Sequence, residues 1–179
     1  MTDPTPGFVT TAGQTIAREK LVAYLNTATY ASPSWSALGL RVEDSNMDYD
    51  WNDETKRDIL GNVHSNMGTP IITQSFEPLN LDSGDSAIVK IWELAVKGQN
   101  AQALAAQDVL IVHFYYAPNT SSPTTTWAER YPSSMVKPTG LGGPGGGNIE
   151  MPVEVTYGGK RETGSVTVSG GTVSFTAAS

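Results

Sequence analysis

The chain of 179 residues contains no cysteine and only two histidines, His64 and His113. The absence of cysteine excludes disulfide bridges, thiolate metal sites and thiol nucleophiles. Two histidines are too few for a His-rich zinc site without thiolate help. Neither histidine accompanies a G-x-S-x-G motif, so a hydrolase triad has no support from the sequence. We therefore expect a protein that is not an enzyme, with no catalytic residues, no metal and no cofactor.

Basic residues and long apolar runs are also scarce. Eleven Lys and Arg residues stand against eighteen Asp and Glu residues, which gives a net charge of −7. This sign disfavours tight binding to the phosphates of nucleic acids. The N-terminus has no basic region followed by an apolar core, and no run approaches the ~20 apolar residues of a membrane helix. We expect no signal peptide and no membrane span.

Two stretches resemble ligand-binding loops but lack the residues that define them. The stretch from Asp48 to Ile59 opens like a calcium loop, but it has Asp53 where glycine is needed and Ile59 where glutamate is needed. The glycine-rich stretch 142–147 lacks the Lys-Ser/Thr pair and the strand-to-helix context of a phosphate loop. Neither stretch predicts a ligand site.

The composition favours one mainly β domain over residues 1–179. A chain of this length can bury a core of its own, and its 18 glycines and short apolar runs are typical of β structure. Residues 1–14 contain Pro4, Pro6, Gly7 and Gly13 and little to bury, so we expect a flexible N-terminal arm there. The predicted fold class is mainly β with one flanking α-helix, as a β-sandwich or split barrel with a long projecting hairpin.

Four stretches predict strands inside the domain. Residues 20–26 are apolar on both faces, which indicates a well-buried strand. The apolar and aromatic run from Val109 to Tyr116 predicts a central strand with His113 as a hydrogen-bonded core residue. Residues 71–76 predict another strand, and Trp127–Val136 a strand interrupted near Pro132.

One helix is expected after Pro78. Asp82 or Ser83 is a candidate cap, and Gly98 is a candidate stop signal. Between them, apolar residues recur with the i, i+3, i+4, i+7 spacing of a core-facing stripe. The members of this predicted core stripe are Ile88, Ile91, Trp92 and Ala95.

Residues 148–177 predict a C-terminal β-meander of three strands. Apolar residues alternate with polar ones from Ile149 to Tyr157, and Gly158-Gly159 and Gly170-Gly171 are typical two-residue hairpin turns. Matching apolar with apolar residues across the turns sets the register. The predicted pairs are Met151 with Val166, Ile149 with Val168, Val168 with Val173, and Val166 with Phe175.

Residues 41–67 predict an extended hairpin with a charged, acidic apex. Met47, Tyr49 and Trp51 alternate with Asp48 and Asp50, which indicates a strand with one apolar and one acidic face. Upstream, the apolar residues stand at even-numbered positions instead, so the alternation changes at residues 43–45, where we predict a β-bulge. Downstream, the apolar residues 59, 63 and 67 again stand at odd-numbered positions. A short loop around residues 52–56 would therefore place both apolar rows on one face of the hairpin.

This hairpin is the candidate assembly element. A two-stranded projection is marginal alone in water, so its apolar row must pack against something outside the hairpin, for which another subunit is a candidate through β-augmentation. The candidate assembly residues are Met47, Asp48, Tyr49, Asp50, Trp51, Asp53, Thr55, Lys56, Arg57, Asp58 and Ile59.

The order of several short motifs also indicates a protein that assembles with other subunits. They are residues 19–26 (EKLVAYLN), Trp35 followed by 39–45 (GLRVEDS), 52–61 (NDETKRDILG), 74–76 (QSF) before the helix, 128–131 (AERY), and the glycines of 142–147. In this order they resemble the major tail tube proteins of tailed bacteriophages and of related phage-like particles.

The resemblance implies a structural virion protein. Members of that family form a β-sandwich or split barrel flanked by one helix, and their hexameric rings stack into a hollow tail tube that conducts DNA into the host. The partners implied are other copies of the chain and further tail proteins at the tube ends, with DNA in transit only. The implied location is the virion tail, after synthesis in the cytoplasm of the host bacterium.

Two questions of function remain open at this stage. The alternative to a tube subunit is a monomeric β-sandwich that binds a carbohydrate or protein ligand through Trp35, Trp51 and Trp127. For a tube, the acidic face that lines the lumen is either Asp48 with Asp50 or Glu150 with Glu154. The prediction favours the two glutamates, whose spacing of about 13 Å along a strand does not suit a glycosidase pair.

Overall fold

The computed structural model of the chain describes residues 5–121 and 124–178. Its strands are β1 (Gly7–Phe8), β2 (Leu21–Asn26), β3 (Trp35–Ala37), β4 (Met47–Asp50), β5 (Glu54–Arg57), β6 (Val63–Asn66), β7 (Ile71–Phe76), β8 (Gln107–His113), β9 (Tyr116–Ala117), β10 (Thr126–Pro138), β11 (Val153–Tyr157), β12 (Glu162–Ser169) and β13 (Thr172–Ala177). The helices are α1 (Ser86–Trp92), continued by a π-helical turn (Glu93–Lys97), and α2 (Ala101–Leu104), and a 3₁₀ turn (Arg18–Lys20) precedes β2.

The main sheet is antiparallel and is organised around β10. Its strand order is β3-β2-β8-β10-β11-β7-β4, and β12 pairs with both β10 and β13. The first half of β10 pairs with β8 and β12, whereas its last residues pair with β11. The described strands do not close into a barrel. The predicted fold class, mainly β with one main helix, is confirmed.

The long strand β10 bends at the point that the sequence indicated. Its register with β8 shifts between Tyr131 and Ser134, on either side of Pro132. Proline lacks the N–H that a ladder requires, so a bulge at this position leaves no donor unsatisfied. The interruption predicted near Pro132 is therefore confirmed.

Strand β8 lies at the centre of the sheet and is buried on both faces. All seven of its residues are buried. Val109 and Ile111 join the main core with residues of β7, β11 and α1, whereas Leu110 and Val112 join a second core beneath β12 and β13. The predicted central buried strand is confirmed from Val109 to His113, but Phe114 and Tyr115, which the prediction included, form a turn.

A buried ion pair joins β8 to β10. The Arg130 guanidinium donates two hydrogen bonds to Asp108, from Nε to Oδ1 at 2.9 Å and from Nη2 to Oδ2 at 2.7 Å. Asn26 Nδ2 donates a third hydrogen bond to Asp108, at 2.8 Å, and the guanidinium stacks on the Tyr30 ring at 3.9 Å. Both charges are thus hydrogen-bonded, which a buried pair requires.

The helix differs from the prediction at its start, whereas its helical turns end at Lys97 with Gly98 as the C-cap, as predicted. Its N-cap is Asp85, whose Oδ1 accepts hydrogen bonds from the backbone N–H groups of Ala87 (3.0 Å) and Ile88 (3.2 Å), so the predicted caps Asp82 and Ser83 are wrong. Ile88 and Ile91 are buried as predicted. The α-helical turns pass into a π-helical turn after Trp92, which changes the rotation per residue. Trp92 and Ala95 are consequently only partly buried.

The first hairpin of the predicted meander is wrong. Strand β11 pairs with β10 and β7, and β12 pairs with β10 and β13, so Met151 and Ile149 do not face Val166 and Val168. Met151 instead donates its backbone N–H to Leu79 O at 2.8 Å. The second hairpin is as predicted, with Val168 opposite Val173 and Val166 opposite Phe175.

The pair Gly158-Gly159 carries the chain past the bend of β10 instead of reversing it. Strand β11 pairs with residues 135–138 of β10 and β12 with residues 126–130, both antiparallel, so the two strands follow each other along β10. Their registers against β10 differ by one residue. A Cβ on Gly158 would lie 2.6 Å from Ser133 O, so the close approach requires glycine. Ser133 N donates to Gly158 O at 3.2 Å.

The N-terminal stretch is more ordered than the arm predicted for residues 1–14. Residues 1–4 lie outside the described residues, but Gly7–Phe8 pairs with Tyr116–Ala117 as a two-stranded sheet. The Phe8 ring stacks on Tyr115, with ring centroids 5.9 Å apart. The prediction of a flexible arm is therefore wrong for the segment that pairs, because two aromatic contacts and a ladder hold it.

Candidate assembly surface on a projecting hairpin

The chain from Met47 to Phe76 forms one long hairpin in two sections. In the base section, β4 pairs with β7, with Tyr49 opposite Ile72. In the tip section, defined here as residues 54–66, β5 pairs with β6, with Arg57 opposite Val63. Gly68 N donates to Trp51 O at 2.9 Å and links the two sections.

The strand pairing differs from the predicted hairpin. The loop predicted around residues 52–56 is mostly strand, because β5 occupies 54–57, and the predicted return residue Ile59 lies in the turn that follows. A break at Asn52, whose φ is 46°, separates β4 from β5 and carries the chain outward. The predicted strand and bulge at residues 41–45 are also wrong, since Arg41 has a φ of 62° and Asp44 forms only an isolated bridge to Glu77.

The Asp58 side chain builds the turn at the end of the tip section. Its Oδ1 accepts from Leu60 N (2.9 Å) and Asn62 N (2.8 Å), and its Oδ2 lies 3.0 Å from Asn62 Nδ2 and 3.1 Å from His64 Nε2. The hydrogen bonds from Asn62 and His64 lower the pKa of Asp58 to about 2. Gly61 supplies the positive φ of 87° that the turn needs. The turn conformation is thus held by the chain itself.

The apex of the hairpin is apolar, contrary to the predicted charged apex. The exposed fraction is 102% for Ile59 and 82% for Leu60, which are the two highest values among the large apolar side chains described. Val63 and Met67 are also exposed. Aliphatic side chains that are fully in water at a fixed turn contribute nothing to the core, so they mark a surface suited to association.

The strands of the tip section are polar and lie wholly in solvent. All eight residues of β5 and β6 are exposed. Lys56 pairs with Glu54 at 2.8 Å, and Thr55 Oγ1 lies 3.3 Å from Ser65 Oγ. Among the described residues, no side-chain hydrogen bond or ion pair ties the tip section to the rest of the chain. The tip section is therefore not part of the packed body.

The base section has two different faces. Met47 packs against the main core, and the rings of Tyr49 and Trp51 stack beyond it, with centroids 6.2 Å apart and planes at 20°. Asp48 and Asp50 are exposed and alternate with these residues along β4. The apolar and acidic faces that the sequence indicated for residues 47–51 are present, although the partner strand is β7 and not the predicted return strand.

A buried carboxylate, Glu129, lies close enough to the base section to act on Tyr49. It accepts hydrogen bonds from Tyr131 Oη (2.6 Å) and Arg161 Nε (2.9 Å), and His113 Nε2 lies 3.2 Å from its other oxygen. Burial raises the pKa of Glu129, but the contacts with His113, Arg161 and Tyr131 outweigh it and lower the pKa to about 2. Burial, followed by this negative charge, raises the pKa of Tyr49.

The two glutamates predicted to line a lumen lie in different settings. Glu154 is in β11 and pairs with Lys137 Nζ at 3.0 Å. Glu150 precedes that strand, in a segment that bridges to Asn80 and Gly142. Both side chains are partly exposed, but only Glu150 keeps a charge without an ion pair among the described residues. Their place on a lumen wall stays a prediction.

The three tryptophans of the alternative binding module have separate surroundings. Trp35 packs against the second core, Trp127 lies against the His113 ring at 4.6 Å, and Trp51 stacks on Tyr49. Both Trp35 and Trp127 are partly buried. These contacts have no residue in common, so they give no support to one joint ligand surface.

Within residues 5–121 and 124–178, no group of three or more His, Asp or Glu residues is placed to hold a metal ion. No helix in the same ranges has the length and apolar character needed to cross a membrane.

Sequence reasoning missed Leu60, which completes the apolar apex. The available signal was the spacing Asp58-x-x-Gly61, because Asp at the first and Gly at the last position of a four-residue stretch is typical of a type I turn. This spacing predicts a reversal at residues 58–61, where the structure has it.

Comparison with known proteins gives a likeness in structure only. No family model matches the chain, and no curated protein matches its sequence. The chain is similar to the PVC sheath/tube terminator of an extracellular contractile injection system in the extended state, with 11% identity, a TM-score of 0.49, and coverage of 86% of this chain and 99% of that one.

Two further structures of related particles show a comparable likeness. The tube-terminating cap of the anti-feeding prophage has 13% identity, a TM-score of 0.48, and coverage of 89% of this chain and 95% of the other. The PVC sheath-tube complex in the extended state has 13% identity, a TM-score of 0.43, and coverage of 93% and 95%. Likeness at this level does not establish a family, so the proposal for function rests on the hairpin and the motif order.

Proposed function

We propose that this chain is a structural subunit of a phage-type tail. Copies of it associate into six-fold rings, and the rings stack into a hollow tail tube through which DNA passes. The observation that carries the proposal is the tip section with its apolar apex, where Ile59 and Leu60 are fixed in water by the Asp58 turn. The protein acts through its shape and has no catalytic role.

The energetics of the apex support association. Burying one Leu or Ile side chain stabilises a contact by about 1.5–3 kcal/mol. Because Asp58 already holds the turn, little conformational entropy is lost when the apex docks. The apex therefore favours binding to another surface, whereas in the isolated chain its two large apolar side chains remain in water.

The hairpin projects from the body, so its apex is placed to contact a neighbouring copy. If the apex contacts a different part of that copy and the contact is not returned, the interface is heterologous and generates closed rings or open stacks, depending on the rotation between copies. The order of the motifs at residues 19–26, 39–45, 52–61 and 128–131 supports the six-fold tube in particular.

The acidic charge suits a passage for DNA. Each copy contributes a net charge of −7, and only carboxylates within about 8 Å of the DNA act strongly at physiological ionic strength. We propose Glu150 and Glu154 for the lumen wall, with Asp48 and Asp50 as the other acidic face. Since Lys137 pairs with Glu154, the repulsion from that face is weaker than two free carboxylates would give. A density map of the tube with Glu150 and Glu154 on its outer wall would contradict this assignment.

Electron microscopy of the purified chain, together with light scattering over a range of concentration and salt, tests the proposal. We expect six-fold rings or tubes and a mass several times 19.0 kDa. Addition of a preformed tube end provides a nucleus if rings form slowly. A strictly 19.0 kDa species under all these conditions, above all one that binds glycans, would contradict the tube and support the monomeric binding module.

A further inference from the structure

A cleft at the base of the hairpin has the properties of a receiving site. It has a volume of about 430 Å³ and lies between residues 18–23, residues 37–45 and β7. Its walls include Leu21, Val42 and Phe76, which belong to or pack against the main core. The rim carries the exposed carboxylates Glu19 and Glu43. We refer to this feature as the base cleft.

The size and polarity of the base cleft suit a small apolar insert. Its volume lies within the ~300–1,000 Å³ that is typical of binding pockets. Its exposed lining is mainly apolar, with Leu40 and Ala37 at the open side. Two aliphatic side chains from a narrow turn match such a cleft better than a strand or a helix, which would need a longer groove.

The apex of the same chain does not reach its own base cleft. Residues Ser45, Gln74 and Phe76, which line the cleft, lie at the body end of the hairpin, whereas Ile59 and Leu60 lie at the opposite end. The two extended strands from Met47 to Asp58 carry the apex roughly 35 Å outward at ~3.3 Å per residue. An apex that enters a base cleft therefore belongs to a second copy.

Charge complementarity supports the same pairing. Arg57 lies two residues before Ile59 and forms no ion pair among the described residues, whereas Lys56 pairs with Glu54 and the Asp58 carboxylate accepts hydrogen bonds within the turn. Glu19 and Glu43 on the rim of the base cleft also form none within this set. A docked apex would bring Arg57 to Glu19 and Glu43, since the guanidinium of Arg18, which also lines the cleft, is held by the carbonyl oxygens of Ser45 and Leu21. This match favours the proposed orientation over a reversed one.

We propose that the base cleft of one copy binds the hairpin apex of another, with Ile59 and Leu60 in the cleft and Arg57 facing Glu19 and Glu43. This inference rests on the proposed function and names the two surfaces through which the copies contact each other. It also assigns a function to the Asp58 turn, which holds the two aliphatic side chains ready to enter the cleft.

Disulfide cross-linking tests the proposal directly, because the natural chain contains no cysteine. One variant carries Leu60→Cys at the apex, and a second, with a size tag, carries Ala37→Cys at the open side of the cleft; both positions are exposed. On mild oxidation we expect the mixed dimer to form about tenfold faster than a control dimer, because docking raises the effective concentration of the two thiols.

The matched control pairs Leu60→Cys with Leu141→Cys, an exposed leucine that does not line the cleft. Equal rates for the two mixtures would overturn the proposal. If rings or tubes still form in that case, the proposed function stands and only the choice of surface is wrong. If neither rings nor any cross-link appear, both the function and the surface are wrong.

A charge swap tests the orientation within the same assay. Arg57→Glu in the apex variant should slow the cross-link by about two- to fivefold, the range expected for one exposed ion pair. Glu19→Arg in the cleft variant should restore the rate in the presence of Arg57→Glu. No loss with Arg57→Glu, or no rescue by Glu19→Arg, would contradict the proposed contact between the rim and the apex.

Discussion

The body of the molecule, by which we mean the described residues outside 54–66, and the tip section of its hairpin differ in how far their strands are buried. In the body, β8 is buried on both faces, and its charged residue Asp108 accepts two hydrogen bonds from the buried Arg130 of β10. In the tip section, every strand residue is exposed and the largest apolar side chains point into water. The difference shows that the free energy of folding is concentrated in the body, whereas the tip section is available for contact with another molecule.

The largest expected effect in the body comes from the buried ion pair. Asp108→Ala leaves the Arg130 guanidinium buried without its carboxylate and should lower the free energy of unfolding by about 3–5 kcal/mol. Urea unfolding of the unassembled chain measures this change. The control is Asp48→Ala on the exposed face of β4, which should change it by less than about 0.5 kcal/mol. A small effect of Asp108→Ala would show that the pair does not hold the body together.

The helix offers a second comparison, between two neighbouring residues of the predicted stripe. Ile91→Ala should cost about 2–5 kcal/mol, because Ile91 is fully buried in the main core. Trp92→Ala should cost only about 1–2 kcal/mol despite the larger side chain, since part of its surface is already in water. Thermal or urea unfolding ranks the two variants, and the reverse order would contradict the packing of this helix.

The sequence predicted the parts of the body that depend on local signals. The hairpin of β12 and β13 is set by Gly170-Gly171 and by the alternation on either side, and its register is correct. Gly158-Gly159 carries the same local signal, but its structure depends on Ser133, which lies far away in the sequence and occupies the bend of β10. No local pattern distinguishes the two glycine pairs, so one hairpin was predicted correctly and the other was not.

The site was predicted less completely than the fold. The sequence pattern located the hairpin and its apolar and acidic faces at Met47 to Trp51, but it placed the reversal too early. The reason is physical: the polar residues of β5 have no buried face, so no alternation marks them as a strand. The base cleft was missed because its walls come from residues 18–23, 37–45 and β7, which only the folded chain brings together.

Acid titration of the body gives a smaller effect. The pKa of Glu129 is lowered from an ordinary value near 4.5 to about 2, so its contribution to stability is complete above pH 4.5 and is lost as the pH falls towards 2. This loss amounts to about 3 kcal/mol. Glu129→Gln lacks the ionisable group, so its free energy of unfolding should fall less than that of the natural chain over this range. If the free energy of unfolding changed equally with pH in the two proteins, the proposed contribution of ionised Glu129 would be wrong.

The smallest expected effect on stability belongs to the tip turn. Asp58→Ala removes the acceptor of four hydrogen bonds, but all of them lie within the tip turn, so the midpoint of body unfolding should not shift measurably. Assembly should require about tenfold more protein, because the apex is no longer held in one conformation. Glu93→Ala, which removes an exposed carboxylate of the π-helical turn outside the hairpin and the base cleft, is the control. Equal assembly of the two variants in light scattering would show that the turn is not used.

Replacing residues 54–66 with Asn-Gly tests the central claim most directly, since this two-residue turn can join the ends of the base section. The measurement combines urea unfolding with electron microscopy of the same variant. We predict a folded body with the stability of the natural chain and no rings or tubes. A variant that unfolds, or one that forms normal tubes, would contradict the separation of folding in the body from association at the tip.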